Sequence, residues 1–245
     1  MRFFVFLFFV ILFSEGFINL PEPLPEEFYG NTLIDRVSTS NNVKAVVFPH
    51  WIHRIKFTCR VCHFEMEFSM EKNTTEISCA KNKEGEFCGT CHNGKTSFAI
   101  TEENCARCHT GDIYLFKDKY LAFKNSIKLK EKEKINWDLL MEKKIIQPKT
   151  YLNINPSKDM EFDKTLELEA EFHIIPPAIF SHKTHRKWLD CNNCHPDIFN
   201  IKRKGTHFLM SEILNKKYCG YCHTTVAFPM NECKRCHPKI KKNYF

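Results

Sequence analysis

Apolar positions along this chain come in short stretches of changing period, separated by polar and charged residues. The longest is at the start, where Phe3 to Phe13 is unbroken apolar sequence after Arg2 and is followed by Ser14-Glu15-Gly16. That pattern, with small residues at the minus-three and minus-one positions of a cut after Gly16, predicts a secretory signal peptide over residues 1–16. Eleven apolar residues are fewer than the about 20 needed to cross a bilayer, so no integral membrane span is expected in the mature chain. Further along, Trp137, Leu140, Met141 and Ile145 recur at helical spacing, with Asn136 placed to cap the start and Pro148 to end it. From Leu166 to Phe172 apolar and acidic residues alternate, which predicts an exposed strand. Thr206 to Lys217 reads as an amphipathic helix with His207, Met210 and Leu214 on one face. His50 and His53, like His182 and His185, lie three apart, so on a helical turn each pair projects from one side.

The cysteines give these pieces a chemistry. Cys-x-x-Cys-His occurs six times, at Cys59-Cys62-His63, Cys88-Cys91-His92, Cys105-Cys108-His109, Cys191-Cys194-His195, Cys219-Cys222-His223 and Cys233-Cys236-His237. This is the attachment signature of c-type haem. Two thiols three positions apart form thioethers to the two vinyl groups of one porphyrin, and the adjacent imidazole reaches the iron from the same side. Paired cysteines also build zinc knuckles, but zinc needs no histidine after the second cysteine and all six pairs have one. Twelve of the 13 cysteines are consumed, leaving no disulfide framework and only Cys79 over. Six covalent haems c are therefore expected, in a protein exported from the cytoplasm.

Haem changes the meaning of the formal charge of +7. A basic balance raises nucleic acid as a partner. Each haem adds two propionates against one ferric charge, so six ferric haems contribute about −6 and six ferrous haems about −12. Much of the lysine content then reads as compensation for propionates, and no nucleic-acid partner is expected. Lys124, Lys128, Lys130, Lys132 and Lys134 read as a solvated face.

The motifs repeat as a set. A shift of 132 residues lays Phe48 to Arg54 on Phe180 to Arg186 and the first motif on the fourth; shifts of 131 and 128 carry the second on the fifth and the third on the sixth. Two triheme modules follow, residues 43–110 and 173–245, joined by a linker, 111–172, with one helix. Modules so short form marginal side-chain cores. The predicted fold class is a multihaem cytochrome c, mostly irregular with short α-helices and little β, its porphyrins packed among residues such as the 23 phenylalanines.

Phe-x-His-x-x-His ahead of Cys-x-x-Cys-His resembles the class III cytochromes c, and within them the triheme branch. The resemblance covers both modules and implies distal ligands. It gives His50 to the iron on His63, His53 to that on His109, His182 to that on His195 and His185 to that on His237. For the middle haem of each module, His207 or Met210 is within reach. Counting favours histidine, since six non-motif histidines match six irons. The repeat favours Met210, which falls over Cys79, another iron ligand type, whereas His207 falls over Glu76, so Met210 is expected on the iron of His223 and Cys79 on that of His92. His173 has no counterpart in the other half and is left as a histidine at the surface or supporting another ligand.

Iron with both axial positions filled suits electron movement. The expected function is a soluble electron carrier, periplasmic or at the cell surface, relaying between redox partner proteins in anaerobic-type respiration. The alternatives are a reductase of a metal or oxyanion, working at the haem on His92 or His223, and a subunit of an extracellular haem filament assembled with other cytochromes.

Overall fold

The computed structural model describes residues 22–130, 133–153 and 161–241. The proposed signal peptide and Lys132 lie outside them. Short helices and two small sheets are set in mostly irregular chain, as the repeat of small cysteine motifs predicts. In chain order the elements are β1 (Asn31–Ile34), α1 (Arg36–Ser40), β2 (Val46–Pro49), α2 (His50–Arg54), α3 (Cys79–Lys83), α4 (Cys105–Cys108), α5 (Lys117–Ser126), α6 (Trp137–Glu142), β3 (Thr165–Leu168), β4 (Ala178–Ser181), α7 (His182–Arg186), α8 (Met210–Leu214) and α9 (Gly220–His223).

Each sheet is a two-stranded antiparallel pair. β1 runs against β2 with Asn31 opposite Pro49, and β3 runs against β4 with Thr165 opposite Ser181. β2 and β4 are related by the 132-residue shift, and each passes directly into the helix that carries two histidines. β1 and β3 lie upstream of residues 43 and 173, so the repeated structure reaches further toward the N-terminus than the motifs do. The alternation after Leu166 does form a strand, half-buried at Leu166 and Leu168 and exposed at Glu167. It stops at Leu168, leaving Phe172 59% exposed.

The largest departure from expectation is the middle segment. It holds two helices, α5 and α6, where the spacing predicted one. The capped helix begins as predicted, with the Asn136 side chain accepting from the Leu139 amide at 3.1 Å, but ends at Glu142. α5 was hidden by its lysines. Lys124, expected in solvent, is buried, and its Nζ lies 3.0 Å from Glu26 Oε2. A buried ammonium persists where a carboxylate meets it. With this pair inside, Phe116, Tyr120, Ile135, Leu140 and Ile146 close with Val47 and Trp51 into one apolar cluster. The segment is thus a side-chain core rather than a mere linker. Trp51 sits between the two histidines of α2 and meets Tyr120 edge-on at 5.3 Å. Its counterpart in α7 is Lys183, which reaches Asp163 at 3.5 Å on the surface.

The two halves meet at their first motifs. Arg60 is buried and donates to the carbonyls of Arg186 and, at 2.8 Å, Leu189, while the Asn193 side chain donates to the His63 carbonyl at 2.8 Å.

Candidate haem sites

All six motifs lie on single helical turns. In five of them the histidine amide donates to the carbonyl of the first cysteine, at 2.7–3.0 Å from His92, His109, His195, His223 and His237. This closed turn brings two thiols and an imidazole to one side of the backbone. Burial above all pushes the thiols up, to about 12 at Cys62 and Cys222 and to about 11 at Cys88, Cys194 and Cys219. Neutral thiols in apolar surroundings suit thioether bonds, whereas zinc requires thiolates. Among the described residues no three His, Cys, Asp or Glu side chains converge on one point.

The histidines separate into two classes. In ten of them Nδ1 lies against a backbone carbonyl: His63 on Phe68, His92 on Phe98, His109 on Lys44, His195 on Phe199, His223 on Phe228 and His237 on Pro176. The same holds for His50 on Gly30, His53 on Pro49, His182 on Lys164 and His185 on Ser181. These are the motif histidines together with the four of the Phe-x-His-x-x-His segments. A carbonyl on Nδ1 holds the proton there and leaves the Nε2 lone pair for a metal. His173 and His207 are exposed and have no such bond.

Three pairs of histidine rings lie close together: His50 and His63 parallel at 6.5 Å between ring centres, His53 and His92 at 6.3 Å with their planes tilted by 57°, and His185 and His223 at 6.3 Å with their planes 65° apart. Two imidazoles on opposite sides of one metal ion, each bonded at about 2 Å, hold their ring centres roughly 6 Å apart. The donor set and its spacing therefore fit iron with two axial imidazoles. Burial, and next the neighbouring His63, holds His50 down to about 3; burial, and next His185, holds His223 down to about 4. Both are neutral, as ligation demands. Phe48 orders its pair, edge-on to His50 at 4.7 Å and stacked on His53 at 4.2 Å; Phe180 does the same for His182 at 4.8 Å and His185 at 4.4 Å.

These ring pairs differ from the pairing implied by resemblance. His53 pairs with His92 rather than His109, and His185 with His223 rather than His237. The reason is the approach of α3 and α8 to the middle motifs. A Cβ on Gly89 would stand 1.8 Å from the Asn82 carbonyl oxygen, and one on Gly220 would stand 2.0 Å from that of Ile213. Only glycine admits this contact, which brings the middle turn against α3 in the first module and against α8 in the second. Cys79 and Met210 take no part in these ring pairs. Cys79 is exposed at the start of α3, and Met210 begins α8 at the equivalent place, half-buried. The helix predicted from Thr206 is only Met210–Leu214 and leaves His207 outside it. Among the described residues no ring pair joins His182 to His195, or any histidine to His109 or His237.

The third motif packs on the second in both modules. Arg107 lies 4.7 Å from the ring centre of Phe98, which packs on His92 at 4.4 Å; Arg235 lies 4.6 Å from Phe228, which packs on His223 at 4.3 Å. The glycines and arginines match at the 131- and 128-residue shifts, while Phe98 and Phe228 are 130 residues apart.

The sequence profile described as cytochrome c7 and related cytochrome c matches residues 46–110 and 178–238. The chain belongs to that family. It is a multihaem c-type cytochrome, carries covalent haem c, and transfers electrons. Among solved structures, the dodecaheme cytochrome c GSU1996 is 23% identical, matched over 86% of this chain and 75% of its own, with a TM-score of 0.31. Its C-terminal hexaheme fragment is 20% identical over 85% of this chain and 96% of its own, at 0.28. The N-terminal hexaheme fragment is 20% identical over 86% and 99%, also at 0.28. No curated protein matches the cytochrome. No helix among its described residues is long and apolar enough to cross a membrane.

Proposed function

We propose that this cytochrome is a hexahaem electron carrier of two triheme modules, residues 43–110 and 173–245, exported from the cytoplasm and exchanging electrons with redox partner proteins. The observation that carries the reading is the set of three histidine ring pairs, with Nδ1 of every member tied to a carbonyl. Cys59 and Cys62, Cys88 and Cys91, Cys105 and Cys108, Cys191 and Cys194, Cys219 and Cys222, and Cys233 and Cys236 are the attachment pairs. His50 and His63 would hold the first iron, His53 and His92 the second, and His185 and His223 the fifth. His182 is assigned to the fourth site with His195 through the repeat, while His109 and His237 anchor the third and sixth.

Haem c supplies a one-electron ferric/ferrous couple. The chain supplies attachment, ligation and shielding. Paired imidazoles close both faces of the iron to outside ligands, which favours a carrier over a reductase. Phe48, Phe98, Phe180 and Phe228 pack on the ligand rings and keep water from them.

Haem content by pyridine haemochrome, with the intact mass of the exported protein, tests this. Six haems per chain cut after Gly16, at least four of them low-spin when oxidised, is the expected result. A mass near that of the unmodified chain, or carbon monoxide binding to most of the reduced haems, would refute the carrier.

A further inference from the structure

Arg54 links the modules at a place where both have a haem motif. It closes α2 directly after His53, and its Nη2 donates to the Val226 carbonyl at 3.1 Å, three residues beyond His223. Its guanidinium carbon lies 5.1 Å from the ring centre of Trp137. Beside it, Tyr29 donates to the His223 carbonyl at 2.7 Å. The charge of Arg54 reaches Cys59 in the first module and Cys222 in the second.

No carboxylate pairs with Arg54 among the described residues. Its repeat counterpart is Arg186, whose Nε lies 2.7 Å from Asp163 Oδ1. The same position thus has an aspartate beside it in one module, shared with Lys183, and no carboxylate of the described residues beside it in the other, where it is half-buried at the seam. A ferrous haem has one positive charge fewer than a ferric haem, so a fixed cation nearby favours the reduced form, the more strongly in a poorly solvated site.

We propose that Arg54 is a positioning residue for electron transfer: its charge at the seam raises the reduction potentials of the haems held by Cys59–Cys62 and Cys219–Cys222, so that electrons entering either module settle between the two. This rests on the reading of both motifs as haem sites. Arg186 keeps its charge, but the Asp163 carboxylate beside it, shared with Lys183, offsets part of the field and gives the second module's first haem a weaker bias.

The test is a potentiometric titration of the haem-loaded protein, resolved haem by haem by NMR, in wild type, Arg54→Gln, Arg54→Lys and Asp163→Asn. In Arg54→Gln the ferrous-to-ferric ratio of those two haems at a fixed ambient potential should fall about tenfold, or about 59 mV for a one-electron couple, with the other haems little moved. Arg54→Lys keeps the charge and should keep the potentials. Asp163→Asn should shift the haem on Cys191–Cys194 the opposite way. Arg54→Gln titrating as wild type would overturn the proposal, as would equal shifts in Arg54→Gln and Arg54→Lys, which would mean that only the link to Val226 matters. If Arg54→Gln fails to load haem, Asp163→Asn decides, and an unshifted titration there counts against the proposal. Haem content separates this from failure of the motif reading: fewer than six haems in wild type would indict the motifs, whereas six haems with unmoved potentials would indict Arg54 alone.

Discussion

Replacing Gly220 with Ala should destabilise the cytochrome through space alone. α8 crosses the fifth motif so closely that the new Cβ would lie 2.0 Å from the Ile213 carbonyl oxygen and 3.0 Å from its carbon. Real Cβ contacts essentially never fall below 3.0 Å, so α8 and the motif turn must part by about 1 Å along that line. The obstacle is backbone, and no rotamer change relieves it. Overpacking of this kind costs about 1–3 kcal/mol, while Ala over Gly in a helix returns up to about 1 kcal/mol. A net loss of about 1 kcal/mol lowers the melting temperature by about 2–4 °C in a protein of this size. Melting of the haem-loaded variant, followed by Soret circular dichroism, measures it. Gly89→Ala should behave alike, since its Cβ would lie 1.8 Å from the Asn82 oxygen. The displaced turn also carries His223 away from His185, so the variant should bind more carbon monoxide than wild type. A melt within about 1 °C of wild type for both variants would refute the close approach, and with it the reason given for the His185–His223 pairing.

Two further predictions concern the ligands. His53→Ala should turn one haem of the six high-spin and open to carbon monoxide. That change should vanish when Cys88 and Cys91 are both replaced by Ser. If it vanished instead on replacing Cys105 and Cys108, His53 would belong to the third motif after all. Acid should release ligand histidines, because burial above all holds His50 at about 3 and His223 at about 4, below the ordinary histidine value of about 6.5. Between those limits the unfolded chain binds more protons than the folded one, so this stability is present above pH about 6.5 and lost as pH falls through the folded values. A spectral pH titration should show the low-spin signal declining over that window; a protein that lost it on raising the pH instead would contradict the assignment.

The cytochrome family and its covalent haem c were legible in the sequence because covalent chemistry is local: two thiols and an imidazole within five residues suffice, whatever surrounds them. The same holds for the two-histidine helices, whose spacing alone puts both rings on one side, and for the cap at Asn136. Which histidine faces which motif was not legible. That depends on how closely α3 and α8 approach the middle turns, a contact that no spacing encodes and that shows in the sequence only as two glycines. The buried Lys124 was unreadable for the same reason, since its partner Glu26 is 98 residues away. So was the role of the middle segment, whose apolar residues become a core only once Trp51 and Val47 reach them from another part of the chain. Local bonding set the cofactor; long-range packing set the ligand pairs, because burial and facing distance exist only between segments already brought together.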